Sequence, residues 1–416
     1  MTRITYRYLA LSILALLLYA LLNLLAGLQF LPSDGVKIRL FFPQISRFAA
    51  SFLDLAIVGG LLGGGLYALF TPYACLDQRL PRLFSVAFWL WLLLFCLTVI
   101  AGIFNLLNSW ELLLALLKAI AILLILSASR RYGMKWTPIG QIWFAGMLLV
   151  IACLSMNLLT LSDFNMTAII HVLALGINTY IAQVLAAVAL MYWLIGRFST
   201  VPTSWAEMSL YTVAGLLSIT GVLVTLSTLE PLVNIGGIRT LIALIAPLLT
   251  LIFASHIYLA FSNRNTTNTL AAHWAALGVI LLLLGIGLLG GLQATVRIWT
   301  AGTRLDDLQP LLASQAVVAI LLGVINQAVF EMRGQPRRVT GLAPFWLVAF
   351  GMIGGGLMLA GAGLVQVYLE RLIGLSYLET QALSAPLYGL WVLGLALMTL
   401  GLLLYGLIHW LRRPRF

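Results

Sequence analysis

The sequence predicts an all-α fold, a polytopic membrane bundle of about twelve transmembrane helices in a single domain spanning residues 1–416. Three observations predict it. Of the 416 residues, 62% are hydrophobic and 8% are charged, where soluble domains carry about 25% charged residues. Apolar runs of about 20 residues or more recur along the whole chain, each long enough to cross a ~30 Å hydrocarbon core as a helix. The basic residues are then distributed unevenly between the connections, as the positive-inside rule requires.

The apolar runs fall at 8–30, 49–72, 82–104, 111–129, 140–160, 167–197, 207–232, 239–262, 268–293, 309–331, 342–369 and 385–411. The first, within MTRITYRYLALSILALLLYALLNLLAG, exceeds a signal-peptide core and has no clear small-x-small cleavage site, so it reads as a span. Segment 167–197 is the longest, about 46 Å at 1.5 Å per residue, and is expected to tilt or to project beyond the bilayer. Most connections are short, which makes consecutive helices antiparallel neighbours. The longer ones are 31–48, 130–139 and 294–308.

With the N-terminus inside, fifteen of the 23 lysines and arginines lie on the inner side and seven on the outer, with Lys118 within a span. This bias implies a multi-pass protein of the cell inner membrane with both termini cytoplasmic. The net charge of +11 is thereby explained by topology, and no nucleic-acid partner is implied. The outer connections hold Asp34, Asp163, Asp306, Asp307 and Glu379. The three cysteines, Cys75, Cys96 and Cys153, are too scattered for a disulfide framework or a thiolate metal site.

Glycine serves packing. GGLLGGG at 59–65 and GMIGGG at 351–356 contain the small-xxx-small pairs Gly60/Gly64 and Gly351/Gly355, which let helix backbones approach closely in a membrane. GGLLGGG is not a phosphate loop, since no strand precedes it and no Lys-Ser/Thr follows.

Polar groups within the spans are the functional candidates, because each is costly in hydrocarbon. Asp54 and Lys118 lie a quarter to a third of the way in from the outer side, positioned to pair across the second and fourth spans. Such a pair reads equally as a structural ion pair or as part of a proton or substrate path. His256 and His273 flank the turn at 263–267 and read as helix-end groups. Glu331 is expected at the interface, and His409, before Trp410 and Arg412, as an interfacial anchor. In 167–197, His171, Asn178, Ala182 and Ala189 fall within about 20° of one line at 100° per residue, with Ala174 beside them. A stripe of small and polar side chains should face protein, which makes His171 and Asn178 candidate buried site residues. The chain contains no HExxH, CxxC, GxSxG or CxxCH motif.

Several segments resemble a known family. His171, Gly176 and the exit LMYWLIGR of 167–197, QIWFAGMLLVIACLSMNLL of the fifth span, EMSLYTVAGLL of the seventh and FWLVAFGMIGGG at 345–356 are similar to helices of subunit I of the haem–copper oxidases. Twelve spans with both ends inside fit that family, and the likeness is closest to its C-type, cytochrome-cbb branch. The resemblance implies a respiratory-chain oxidoreductase carrying two haems and copper on six histidines, whereas this chain has four histidines in all. None occurs near Phe48–Ala50, Leu226–Ser227 or Leu308–Pro310, where the family places ligands. Only His171 stands at a ligand-like place, as the remnant of a cofactor-binding position. Arg297, Arg304, Asp306 and Asp307 lie where the family handles haem propionates.

Three readings follow. The first is a ligand-poor, non-catalytic homologue, a pseudoenzyme serving as an accessory subunit of a respiratory complex or as a passage for a small molecule. It expects no haem or metal, and takes the lipid bilayer and other membrane subunits as partners. The second is a secondary transporter, which predicts internal repeats and broken helices at mid-membrane. Halves 1–197 and 207–411 show no such repeat, and only Pro231 and Pro247 interrupt spans far from their starts. The third is a haem-binding oxidase subunit with unusual ligands.

Overall fold

A computed structural model describes residues 2–30, 42–70, 80–131, 136–158, 164–198, 203–229, 269–289, 303–333 and 341–414, with a few isolated positions between 245 and 255. Among the described residues there are helices and no strands, and eleven helices are long and apolar enough to cross a membrane. This is a multi-pass membrane protein whose outer faces meet lipid. In hydrocarbon a backbone must satisfy its own hydrogen bonds, and a helix does so within one segment.

The helices are α1 (Thr2–Leu28), α2 (Phe42–Phe70), α3 (Leu80–Ile103), α4 (Leu107–Arg131) and α5 (Pro138–Leu158). The next, α6, runs Phe164–Ile177, passes through a π-helical turn at Asn178–Ala182, and continues as Gln183–Phe198. It is followed by α7 (Thr203–Leu229), α8 (Thr269–Leu282, continued by a π segment Leu283–Leu289) and α9 (Arg304–Arg333). Last come α10 (Leu342–Val367, continued by a π segment Tyr368–Ile373) and α11 (Tyr377–Leu411). Each coincides with an expected span. The expected span 239–262, with His256 and Pro247, lies outside the described residues apart from isolated positions, as does Pro231.

One boundary differs from expectation. The sequence places a connection at 370–384, with Glu379 in it, but the turn between α10 and α11 is far shorter. Gly374 ends the preceding helix at φ 81°, a left-handed conformation that glycine adopts without penalty. Ser376 then caps α11. Its side chain accepts from the Glu379 amide, and the Glu379 carboxylate accepts from the Ser376 amide at 3.0 Å. Glu379 is therefore a capping residue in the first helical turn. The reciprocal cap starts the helix before Pro386, which is accommodated inside it.

The bundle is built around α6. Every residue from Tyr180 to Leu194 is buried, packed by α2, α5, α7, α8 and α9. Outward-facing Trp89 and Leu93 on α3, Leu112 and Leu123 on α4, and Trp346, Phe350 and Leu357 on α10 are exposed. Such faces are stable only against lipid. The glycine runs pack as expected. A Cβ on Gly60 would meet Ser12 and Leu321, and one on Gly64 would meet Leu190 and Val324. Gly65 gives up its side-chain volume to the Trp143 indole, which donates to the Leu61 carbonyl at 3.0 Å.

Candidate functional site

A cleft of about 730 Å³ opens between α2, α3, α4 and α6. Its polar lining comes from two helices in register. On α2, Arg47, Ser51 and Asp54 follow the i, i+4, i+7 pattern of one helical face. On α4, Asn108, Glu111 and Lys118 do the same at i, i+3, i+10. Both helices begin at the same end of the bundle, where Arg47 donates to Asn108 at 3.1 Å. Asp54 and Lys118 lie about two to three turns deeper, roughly 16 Å along α4 from Leu107 at 1.5 Å per residue.

At that depth Lys118 Nζ forms an ion pair with Asp54 Oδ2. The other Asp54 oxygen accepts from Gln183 Nε2 at 3.0 Å. The side chains of Lys118 and Asp54 keep 15% and 27% of their exposure, and both line the cleft. The expected pairing of the second and fourth spans is thus realised, joined by a glutamine of α6 that lies buried. Thr98 of α3 and His171 of α6 complete the polar wall.

The π turn decides what α6 presents. At its end the Gln183 amide donates to the Asn178 carbonyl, five residues back, so one residue more than usual is wound into the turn. A straight projection at 100° per residue fails across such a turn. The members of the expected stripe differ in burial: His171 is exposed to the cleft, Asn178 is half-buried, and Ala174, Ala182 and Ala189 are buried. Asn178 Oδ1 is buried without a hydrogen-bond partner among the described residues. Glycines of both neighbours make room. A Cβ on Gly146 of α5 would lie 2.8 Å from the Ala182 carbonyl oxygen, and one on Gly221 of α7 would lie 3.1 Å from that of Tyr180.

His171 therefore shares its cavity with a carboxylate–ammonium pair and with no second imidazole among the described residues. No group of three or more His, Cys, Asp and Glu side chains suited to a metal occurs among them. Transition metals of this class take imidazole or thiolate ligands. Among the described residues, the donors around His171 do not fit a haem or copper centre.

A second polar cluster closes the opposite end. Glu331 of α9 accepts from Tyr67 of α2 at 2.8 Å and from Gln327 at 2.8 Å, and pairs with Arg197 of α6 at 3.5 Å. The Arg197 guanidinium lies over the Trp193 ring, whose edge meets Tyr67. Glu331 thus joins three helices near the end of α9 while its side chain keeps 24% of its exposure. Tyr67→Phe should cost about 1 kcal/mol of stability and Glu331→Ala about 2–3, since the latter strands three partners; thermal unfolding in detergent measures both. His409 departs from expectation. It is buried at 1% exposure, stacked on Tyr405 with ring centroids 4.0 Å apart, and bonded to the Tyr405 carbonyl at 2.9 Å. The start of α1 covers this region, with Tyr6 donating to the His409 carbonyl. His273, early in α8, packs edge-to-face on Phe345.

Arg47, Ser51, Asn108 and Glu111 were not among the residues singled out from the sequence. Their helical spacing from Asp54 and Lys118 was the available signal. Asp306 and Asp307 fall in the first turns of α9, and Arg297 lies outside the described residues. No protein-family model and no curated protein matches this sequence.

Proposed function

We propose that this membrane protein binds and passes a small zwitterionic solute, with the Asp54–Lys118 pair as its docking site. The observation that carries this reading is that the pair stands on the wall of a large, open cleft. Breaking a desolvated ion pair is costly when one partner is left alone. A solute bearing both a carboxylate and an ammonium exchanges partners instead. Its carboxylate takes Lys118 and its ammonium takes Asp54, so no buried charge goes unpaired. Gln183 holds Asp54 in place during the exchange. Arg47 and Glu111 offer the same two charges at the mouth, and the cleft volume lies within the range of small-molecule sites. With the basic residues inside and both termini cytoplasmic, the cleft opens to the outer face of the cell membrane.

The test is uptake by proteoliposomes of the purified chain, with a mixture of radiolabelled neutral amino acids as probe. Uptake above empty vesicles is expected, and it should be lost in Asp54→Asn. The preparation should show no Soret absorption. Absence of uptake together with stoichiometric haem would overturn the reading in favour of an oxidase-type subunit.

A further inference from the structure

A second cavity, separate from the cleft, lies among α1, α2, α9, α10 and α11. Its volume of about 210 Å³ equals roughly seven waters at ~30 Å³ each, the size of a single-ring organic acid and far below that of a macrocycle. It opens at the same end of the bundle as the cleft. Ser46 lines this cavity and the adjacent Arg47 lines the other, so the first turns of α2 stand between them.

Two of its lining groups are buried polar atoms without a partner among the described residues. Among the described residues, Gln315 of α9 is 7% exposed with no hydrogen-bond partner for its Oε1, and Tyr388 of α11 is 2% exposed with none for its hydroxyl. Buried polar groups are nearly always paired, and each left unpaired costs about 1–3 kcal/mol. The same face of α11 repeats the pattern at i, i+4, i+8. Thr380 and Ser384, both fully buried, also carry hydroxyls unpartnered among the described residues, in a file leading from the start of the helix to Tyr388.

The rest of the lining narrows the chemistry. Arg304 is the one charged residue on this cavity among the described residues, with its guanidinium over the Phe30 ring at 5.2 Å. Phe30 stacks on Tyr388 and meets Trp391 edge-on, which forms an aromatic wall. Gly355 and Gly356 place bare backbone on the facing side.

From these we infer that the cavity is a binding site for a small aromatic carboxylate that also carries a hydroxyl. The carboxylate pairs with Arg304, the ring packs on the aromatic wall, and the hydroxyl donates to Gln315 Oε1 while Tyr388 donates to the ligand. This site is independent of the cleft and of the transport reading.

Isothermal titration of the purified full-length chain in detergent tests it, with 4-hydroxybenzoate, benzoate and 4-hydroxybenzyl alcohol as probes. Saturable binding of 4-hydroxybenzoate is expected, with benzoate and the neutral alcohol each at least about tenfold weaker. Gln315→Leu should erase the preference for the hydroxyl, and Arg304→Gln the preference for the carboxylate. If Gln315→Leu elutes as an aggregate, Tyr388→Phe, which keeps the ring, carries the same test through a loss of affinity for 4-hydroxybenzoate. No saturable binding of any probe would identify the cavity as a hydrated void and overturn the assignment. So would preferences that survive all three substitutions.

Discussion

Lys118→Met will destabilise the protein by about 2–4 kcal/mol, between the values for exposed and fully buried ion pairs. The substitution leaves Asp54 desolvated, with only Gln183 to hold it. The double variant Asp54→Asn/Lys118→Met should recover most of that stability, because an amide and a thioether need no counter-charge. It should recover none of the uptake, since neither charge of the solute finds a partner. Denaturation in detergent and proteoliposome uptake, measured on the same two variants, separate the structural contribution of the pair from its functional one. A double variant that transports at the original rate would reduce the pair to scaffolding.

Gly351→Ala will cost about 3 kcal/mol, while Gly354→Ala, three residues along the same run, will be neutral or slightly stabilising. A Cβ on Gly351 would lie 2.6 Å from the Met398 amide nitrogen and 2.7 Å from the Gly394 carbonyl oxygen. Both are backbone atoms of α11, so α10 and α11 must separate to admit a single methyl. A Cβ on Gly354 meets nothing within 4 Å, and alanine is the better helix former by up to about 1 kcal/mol. Thermal unfolding of the two variants in one detergent gives the comparison. Equal midpoints would mean that close approach of α10 and α11 contributes nothing.

Much of the bundle was legible in the sequence because hydrocarbon imposes a single criterion, long apolar runs, and eleven described helices meet it. Asp54 and Lys118 were legible for the same reason, since charges within such runs stand out. Gln183 lies within the sixth span, but nothing in the sequence marks its bond to Asp54. The obstacle was the π turn at Asn178–Ala182. It rotates all that follows, and no residue type in NTYIA marks it. His409 was misjudged because aromatic and basic neighbours mark an interface only when the helix end is uncovered, and the start of α1 covers this one. The turn before α11 differs because the apolar run starts only at 385, after the polar first turns of the helix. The Ser376–Glu379 capping box is a local signal that competes with it and prevails.

The π turn has one further consequence. A helix wound with an extra residue holds two registers of nearly equal hydrogen-bond count, because the surplus can migrate a turn at a time without the chain unfolding. Each passage turns the intervening side chains by roughly 100° about the helix axis. In α6 the surplus residue therefore sets the register in which the Gln183 side chain meets Asp54.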